Sequence, residues 1–210
     1  MFSGKRILIL APHTDDGELG CGATIAKALR EGADIWYVAF SKCEESLPVG
    51  APKDTLVHEL FDATSVLGIN KNHVCIKSYK VRHFGEHRQE ILDDLIKIDK
   101  KIDPNIIFVP SSHDIHQDHS TIAAESIRAF KKKTLLMYEL PWNNLTFNNQ
   151  AFSCVEENDV LKKIEALQQY KSQKTRQYTE PDNIKAVLKT HGIQIGKEYA
   201  EVFEVPRIIL

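Results

Sequence analysis

The sequence predicts an α/β fold built on a mostly parallel sheet. Two observations carry this. Short, continuous apolar runs alternate along the chain with stretches whose apolar residues recur at helical period. Those runs are apolar throughout rather than on every second residue, as strands covered on both faces must be. The 210 residues suffice for one domain with a full core, and 42% apolar against 27% charged residues is an ordinary globular balance.

Taken in order, Ile7 to Ala11 is the first buried strand, and Ala23 to Arg30 reads as the helix after it. Gly17, Gly20 and Gly22 lie between them and are expected to allow a tight turn. Ile35 to Phe40 is a second buried strand. Leu56, Leu60, Ala63 and Leu67 mark a helix that Gly68 ends. Val74 to Tyr79 is a short strand. Glu86 to Ile102 is a long amphipathic helix stopped by Pro104, and Ile106 to Val109 is a strand leading into Pro110. Ser120 to Phe130 is helical and Leu135 to Leu140 strand-like. Beyond Pro141 the pattern loosens into "PWNNLTFNNQAF", a polar and aromatic loop. Helices at Val160 to Tyr170 and Pro181 to His191 and a strand at Tyr199 to Ile209 complete the chain. With no internal repeat and no low-complexity linker, residues 1–210 read as one domain.

A net charge of -2 and no basic stripe exclude a nucleic-acid footprint. The run Lys131-Lys132-Lys133 closes a helix, where cations suit the dipole. The four cysteines are scattered, without a C-x-x-C pair, and read as reduced thiols of a cytoplasmic protein. The first apolar run is short and follows Lys5 and Arg6, which is not a signal peptide. No stretch is long enough to span a bilayer. Asn144-Leu145-Thr146 matches a glycosylation acceptor by accident in such a chain.

Chemistry concentrates in two loops, each after a predicted strand. The first carries "HTDDGE" and the second "HDIHQDH", residues 113 to 119. Ligands of open α/β sheets sit outside the carboxyl ends of strands. Two adjacent parallel strands would therefore bring four His and four Asp to one end of the sheet. So many carboxylates together call for a cation. Imidazole and carboxylate without thiolate suit zinc, with iron or manganese also compatible. Two His, one carboxylate and an open position form a catalytic arrangement, in which the ion brings the pKa of water to about 7.

"APHTDDGELGCGATIAKAL" and "PSSHDIHQDHSTIAAESIRAF", together with "HELFDATSVLG", "YKSQ" and "YAEVF", resemble the PIG-L/LmbE-like deacetylase family. The two loops match its motifs H-x-D-D-x-E-x-G and D-x-H-x-D-H. The resemblance implies a Rossmann-like three-layer sandwich. It also implies metal-dependent removal of an acetyl or related acyl group from an amino sugar or its conjugate, with no organic cofactor. Carried over residue by residue, it gives His13, Asp16 and His119 as metal ligands and Asp15 as general base. His116 would stabilise the tetrahedral intermediate and, as an imidazolium, protonate the leaving amine, with Asp118 orienting it. Leu56 stands where many relatives carry a substrate-binding arginine, a role that Lys53 or Arg82 could fill.

Trp142 is a candidate sugar-stacking residue, or else packs beneath its loop. Glu18, His113 and Asp114 are candidates to support the ligands. His58, His83, His87 and His191 carry no motif. The expected partner is a small-molecule or glycan-conjugate substrate, with homo-oligomerisation left open. A two-metal phosphoesterase is the alternative enzyme, though it usually needs more ligands. A glycan-binding protein with a structural metal would have a closed site, mostly rich in Cys, which this chain lacks. A dinucleotide site fails on the glycine spacing and on acids that would repel pyrophosphate.

Overall fold

The computed structural model describes residues 1–209. In chain order the elements are β1 (Arg6–Ala11), α1 (Asp16–Arg30), β2 (Asp34–Ala39), α2 (Thr55–Leu67), β3 (Val74–Ile76), α3 (Arg88–Ile102), β4 (Ile106–Pro110), α4 (Gln117–Ala129), β5 (Thr134–Tyr138), β6 (Ala151–Val155), α5 (Glu157–Leu167), α6 (Pro181–Ile193) and β7 (Tyr199–Arg207). The strands form one seven-stranded sheet in the order β3-β2-β1-β4-β5-β7-β6. β1 to β5 are parallel, and β7 joins β5 and β6 antiparallel. The fold is α/β with a mostly parallel central sheet, as the alternation of segments predicts.

Period-2 alternation divides each central strand between two cores. Ile7, Ile9 and Phe108 face one core with Ile25 of α1, Leu60 of α2, Val160 of α5 and Leu188 of α6. Leu8, Leu10 and Ile107 face the other with Ile91 and Leu95 of α3 and Ile122 of α4. The sheet is therefore the middle of three layers. No helix among the described residues is long and apolar enough to cross a membrane.

Three expectations change. The loop expected through Phe152 runs into β6 at Ala151. β6 is a five-residue strand at the sheet edge, short and directly preceded by the turn residues of "NNLTFNNQ", so its brief apolar run merges with the loop. Helix α1 begins at Asp16, seven residues before the expected Ala23, and is interrupted at Cys21, whose φ of -146° is not helical. The backbone N–H groups of Ala23 and Thr24 open the second segment and donate to Glu201 of β7 at 3.1 and 2.6 Å. The pattern begins at Ala23 because the helix effectively restarts there.

Nor do the glycines make a turn: none of Gly17, Gly20 and Gly22 has a positive φ. They allow close approach instead. A Cβ on Gly17 would lie 2.6 Å from the Tyr37 ring, and one on Gly20 would overlap the Tyr138 ring. Both tyrosines are fully buried beneath the start of α1.

Candidate metal and catalytic site

The strand order reverses between β1 and β4, which pair directly with Ile7 opposite Ile106. This is the switch point at which an open α/β sheet leaves a crevice. The loop after β1 brings His13, Asp15 and Asp16 to it. The loop after β4 brings Asp114, His116, Asp118 and His119. His116 caps α4, its Nδ1 accepting the backbone N–H of Asp118 at 3.2 Å.

His13 Nδ1, Asp16 Oδ2 and His119 Nε2 form a triangle. Its edges are 3.1 Å from His13 to Asp16, 3.2 Å from His119 to Asp16 and 3.0 Å between the imidazoles. The far nitrogen of each ring lies on a carboxylate, His119 Nδ1 with Asp114 Oδ2 at 2.7 Å and His13 Nε2 with Asp118 Oδ2 at 3.1 Å. A carboxylate only accepts, so it fixes a proton on the nitrogen it touches. The near nitrogens then turn lone pairs toward each other and toward Asp16. That arrangement is repulsive unless something positive lies among them. Tetrahedral zinc with bonds of about 2.0–2.1 Å needs ligand edges of about 3.3 Å, close to those of the triangle. The donor set fits a divalent ion. His116 adds a third imidazole, with donor atoms of all three histidines within 4.8 Å of one another.

The supporting residues sort differently from expectation. Asp118 was expected to orient His116. Its carboxylate instead reaches His13, and accepts the backbone N–H groups of Arg82 at 2.6 Å and Phe84 at 3.3 Å. Its place at the start of α4 turns it away from the ring that caps the same helix. Asp114 supports His119 directly. His113, in contrast, pairs with Glu204 at 3.0 Å, outside the cluster. Glu18 supports no ligand either. It is fully buried between the hydroxyls of Tyr37 and Tyr170, since two residues along a helix it projects to the side opposite Asp16. Burial raises its carboxyl to about 8.

A pocket of about 260 Å³ opens over the triangle. Asp15, Arg82, Trp142, Leu56 and Arg176 line it together with the three histidines. Lys53 does not reach it, being exposed and paired with Glu44 at 3.4 Å. Trp142 stacks on Tyr178, with centroids 4.0 Å apart and planes 10° apart, and stays 41% exposed. Arg176 was not expected. Its guanidinium lies 3.6 Å from Asp15 Oδ2 and donates to the Tyr178 hydroxyl at 2.7 Å. Its only sequence signal is its position just after "YKSQ"; nothing local ties residue 176 to residue 15.

The electrostatics separate the acids. Burial opposes the charge of Asp16, but His119 and His13 outweigh it and hold the carboxyl well below the usual range. Burial, then the neighbouring Asp16, raises Asp15, while Arg176 acts in the opposite sense. Burial also opposes a proton on His119, yet Asp16 and Asp114 bring that ring up to about 10. The cluster thus draws a proton to where a cation fits. His116 goes the other way: burial, then His119 and His13, lowers it to about 4. These influences disfavour the imidazolium expected from the sequence and favour a neutral ring. With Nδ1 accepting from Asp118, the proton of that neutral ring is on Nε2.

Fold and site define an α/β protein with a histidine–carboxylate cluster suited to a metal at the switch point of its sheet. The family model described as PIG-L, GlcNAc-PI de-N-acetylase, matches residues 8–130, more than half of the chain. The chain belongs to the PIG-L family. It is 30% identical over 175 residues to the uncharacterized deacetylase YaiS of Escherichia coli K12, covering 80% of this chain and 91% of that protein. Among solved structures, N,N'-diacetylchitobiose deacetylase from Pyrococcus horikoshii superposes with a TM-score of 0.77 at 18% identity, covering 96% of this chain and 83% of the other. GalB of Pseudomonas putida KT2440, a 4-carboxy-2-hydroxymuconate hydratase, superposes with a TM-score of 0.78 at 17% identity and 98% coverage of both. A shared fold therefore does not fix the reaction, which must be argued from the site.

Proposed function

We propose that the chain is a metal-dependent N-deacetylase that hydrolyses the acylamide of an amino sugar or its conjugate. The observation that carries this is the division of labour between adjacent acids: Asp16 completes the His13–His119 triangle, while Asp15 faces the pocket beside Arg176. The family description and the naming of the Pyrococcus horikoshii protein support acetylated amino sugars as the substrate class. One triangle of donors, rather than two linked by a bridging carboxylate, favours amide hydrolysis over a two-metal phosphoesterase.

His13, Asp16 and His119 would hold the ion, zinc being the first choice and iron or manganese compatible. Bound there, it supplies Lewis acidity toward water and the amide carbonyl. Asp15 takes the proton of the attacking water as a new C–O bond forms. The Nε2–H of neutral His116 donates to the developing oxyanion. As the C–N bond breaks, Asp15 returns the proton to the nitrogen, so the products are an acid and an amine. A raised Asp15 pKa suits a group that must accept a proton and then release it.

The test incubates zinc-loaded protein with N-acetylglucosamine, its disaccharide and its glycosides, and measures acetate and primary amine together. Equal release of both supports the reading. Absence of release from every acylated amine by metal-loaded protein would sink it.

A further inference from the structure

A second cavity adjoins the catalytic pocket and takes no part in the reaction described above. It has a volume of about 430 Å³, within the usual range of small-molecule sites. It lies between α6, β7 and the segment that follows β5. Its wall toward the catalytic pocket is the stacked Trp142–Tyr178 pair, which lines both.

Much of the lining is aliphatic. Ile184, Leu188 and Val202 are buried, and Val187 forms an exposed edge. Four ionisable side chains interrupt this surface, and they are not equivalent. Lys163 and Glu201 are fully engaged. Lys163 Nζ lies 2.7 Å from Glu201 and donates to the Leu19 carbonyl at 2.6 Å, while Glu201 also accepts the backbone N–H groups of Ala23 and Thr24. Glu139, the first residue after β5, is different. Its Oε2 is buried and receives no hydrogen bond. His191 Nε2 comes within 3.1 Å of that oxygen, at an angle that makes no hydrogen bond. A carboxylate oxygen held out of water without a donor is costly, and a ligand that brings a donor recovers that cost.

We propose that this groove is a binding site for an organic ammonium ion, a primary amine on an apolar body, distinct from the amide substrate. The ammonium supplies the donor that Glu139 lacks. Its carbon body displaces water from Ile184 and Leu188, which is favourable. The aromatic rings of Trp142 and Tyr178 attract the same positive charge. Other occupants fit less well. A neutral apolar molecule would cover Glu139 without giving it a donor, and an anion would meet a like charge. A metal ion would find one available carboxylate in an aliphatic cavity, since Glu201 is already engaged. The site stands apart from the deacetylase reading, because neither Glu139 nor His191 lines the pocket over the triangle.

The test measures binding of 2-phenylethylamine, 2-phenylethanol and phenylacetate by calorimetry at pH 8. The three share an aromatic ring and differ in charge. The amine should bind at least about tenfold tighter than the alcohol, the worth of a hydrogen bond between charged groups, and phenylacetate should bind least. Glu139→Gln removes the charge but keeps the shape, and should bring the amine to the affinity of the alcohol. Val187→Lys places a cation at the exposed edge without touching Glu139. It should weaken the amine and leave the alcohol unchanged. Thermal unfolding checks that both variants fold. This pattern supports the site whether or not any acylated sugar is cleaved. An amine that binds no tighter than the alcohol, or a preference for the amine that survives in folded Glu139→Gln, overturns it.

Discussion

Asp15 and Asp16 are chain neighbours whose carboxylates face different partners. Asp16 Oδ2 lies 3.1 Å from His13 Nδ1 and 3.2 Å from His119 Nε2, whereas Asp15 Oδ2 lies 3.6 Å from the Arg176 guanidinium. Asp15 is the cap of α1 and Asp16 its first residue, so about 100° of helical rotation separates their side chains. Asp16→Asn should therefore lose metal and activity together. Asp15→Asn should keep the metal and lose roughly 10²–10⁴ in rate. Metal content and rate, taken on the same preparations, decide it; the opposite pattern would exchange the two roles.

Asp114 Oδ2 meets the far nitrogen of His119 at 2.7 Å, while its Oδ1 accepts the backbone N–H of His116 at 2.8 Å. Asp114→Asn keeps the shape but releases the tautomer. Zinc affinity should fall about 10–100-fold, read by competition with a chromophoric chelator. An unchanged affinity would mean that the carboxylate does not set the ring.

His116→Ala should retain near-wild-type metal while turnover falls about 10²-fold or more, since a single donor to the oxyanion is lost. Because the ring is held near 4, its deprotonation is complete well below neutral pH. Any alkaline limb in the wild-type profile should therefore survive in the residual activity of His116→Ala. A limb that disappears with His116 would restore the imidazolium acid.

Arg176 reaches the pocket from the segment between α5 and α6 and holds Tyr178 at 2.7 Å. Arg176→Ala should lower kcat/KM by about ten- to a hundredfold, the worth of a hydrogen bond to a charged group, with metal content intact. Loss of metal in that variant would show that its role is to hold the cluster together.

Glu201 is the stability test. It accepts from Ala23 N, Thr24 N and Lys163 Nζ in the interior, where α1 restarts. Glu201→Ala leaves an unpaired buried ammonium and two orphan N–H groups. Urea unfolding should show a loss of about 3–5 kcal/mol. A loss under about 1 kcal/mol would mean that water or a rotated Lys163 replaces the carboxylate.

The sequence by itself determined the alternation of strands and helices, because continuous apolar runs and helical periods report burial locally. It also determined the two acidic, histidine-rich loops, since both motifs are contiguous. The edge strand β6 escaped because its five-residue run follows directly on a loop of turn residues and is too short to stand out from it. Only the tertiary structure decided which acid serves which ring: Asp118 turns to His13, 105 residues away, and not to His116 two positions before it. It also decided that burial and the flanking His119 and His13 disfavour a proton on His116, that Gly17 and Gly20 admit tyrosine rings rather than turn the chain, and that Arg176 faces Asp15. Each of these depends on which side chains distant in the chain meet in space, and on how burial changes the cost of their charges.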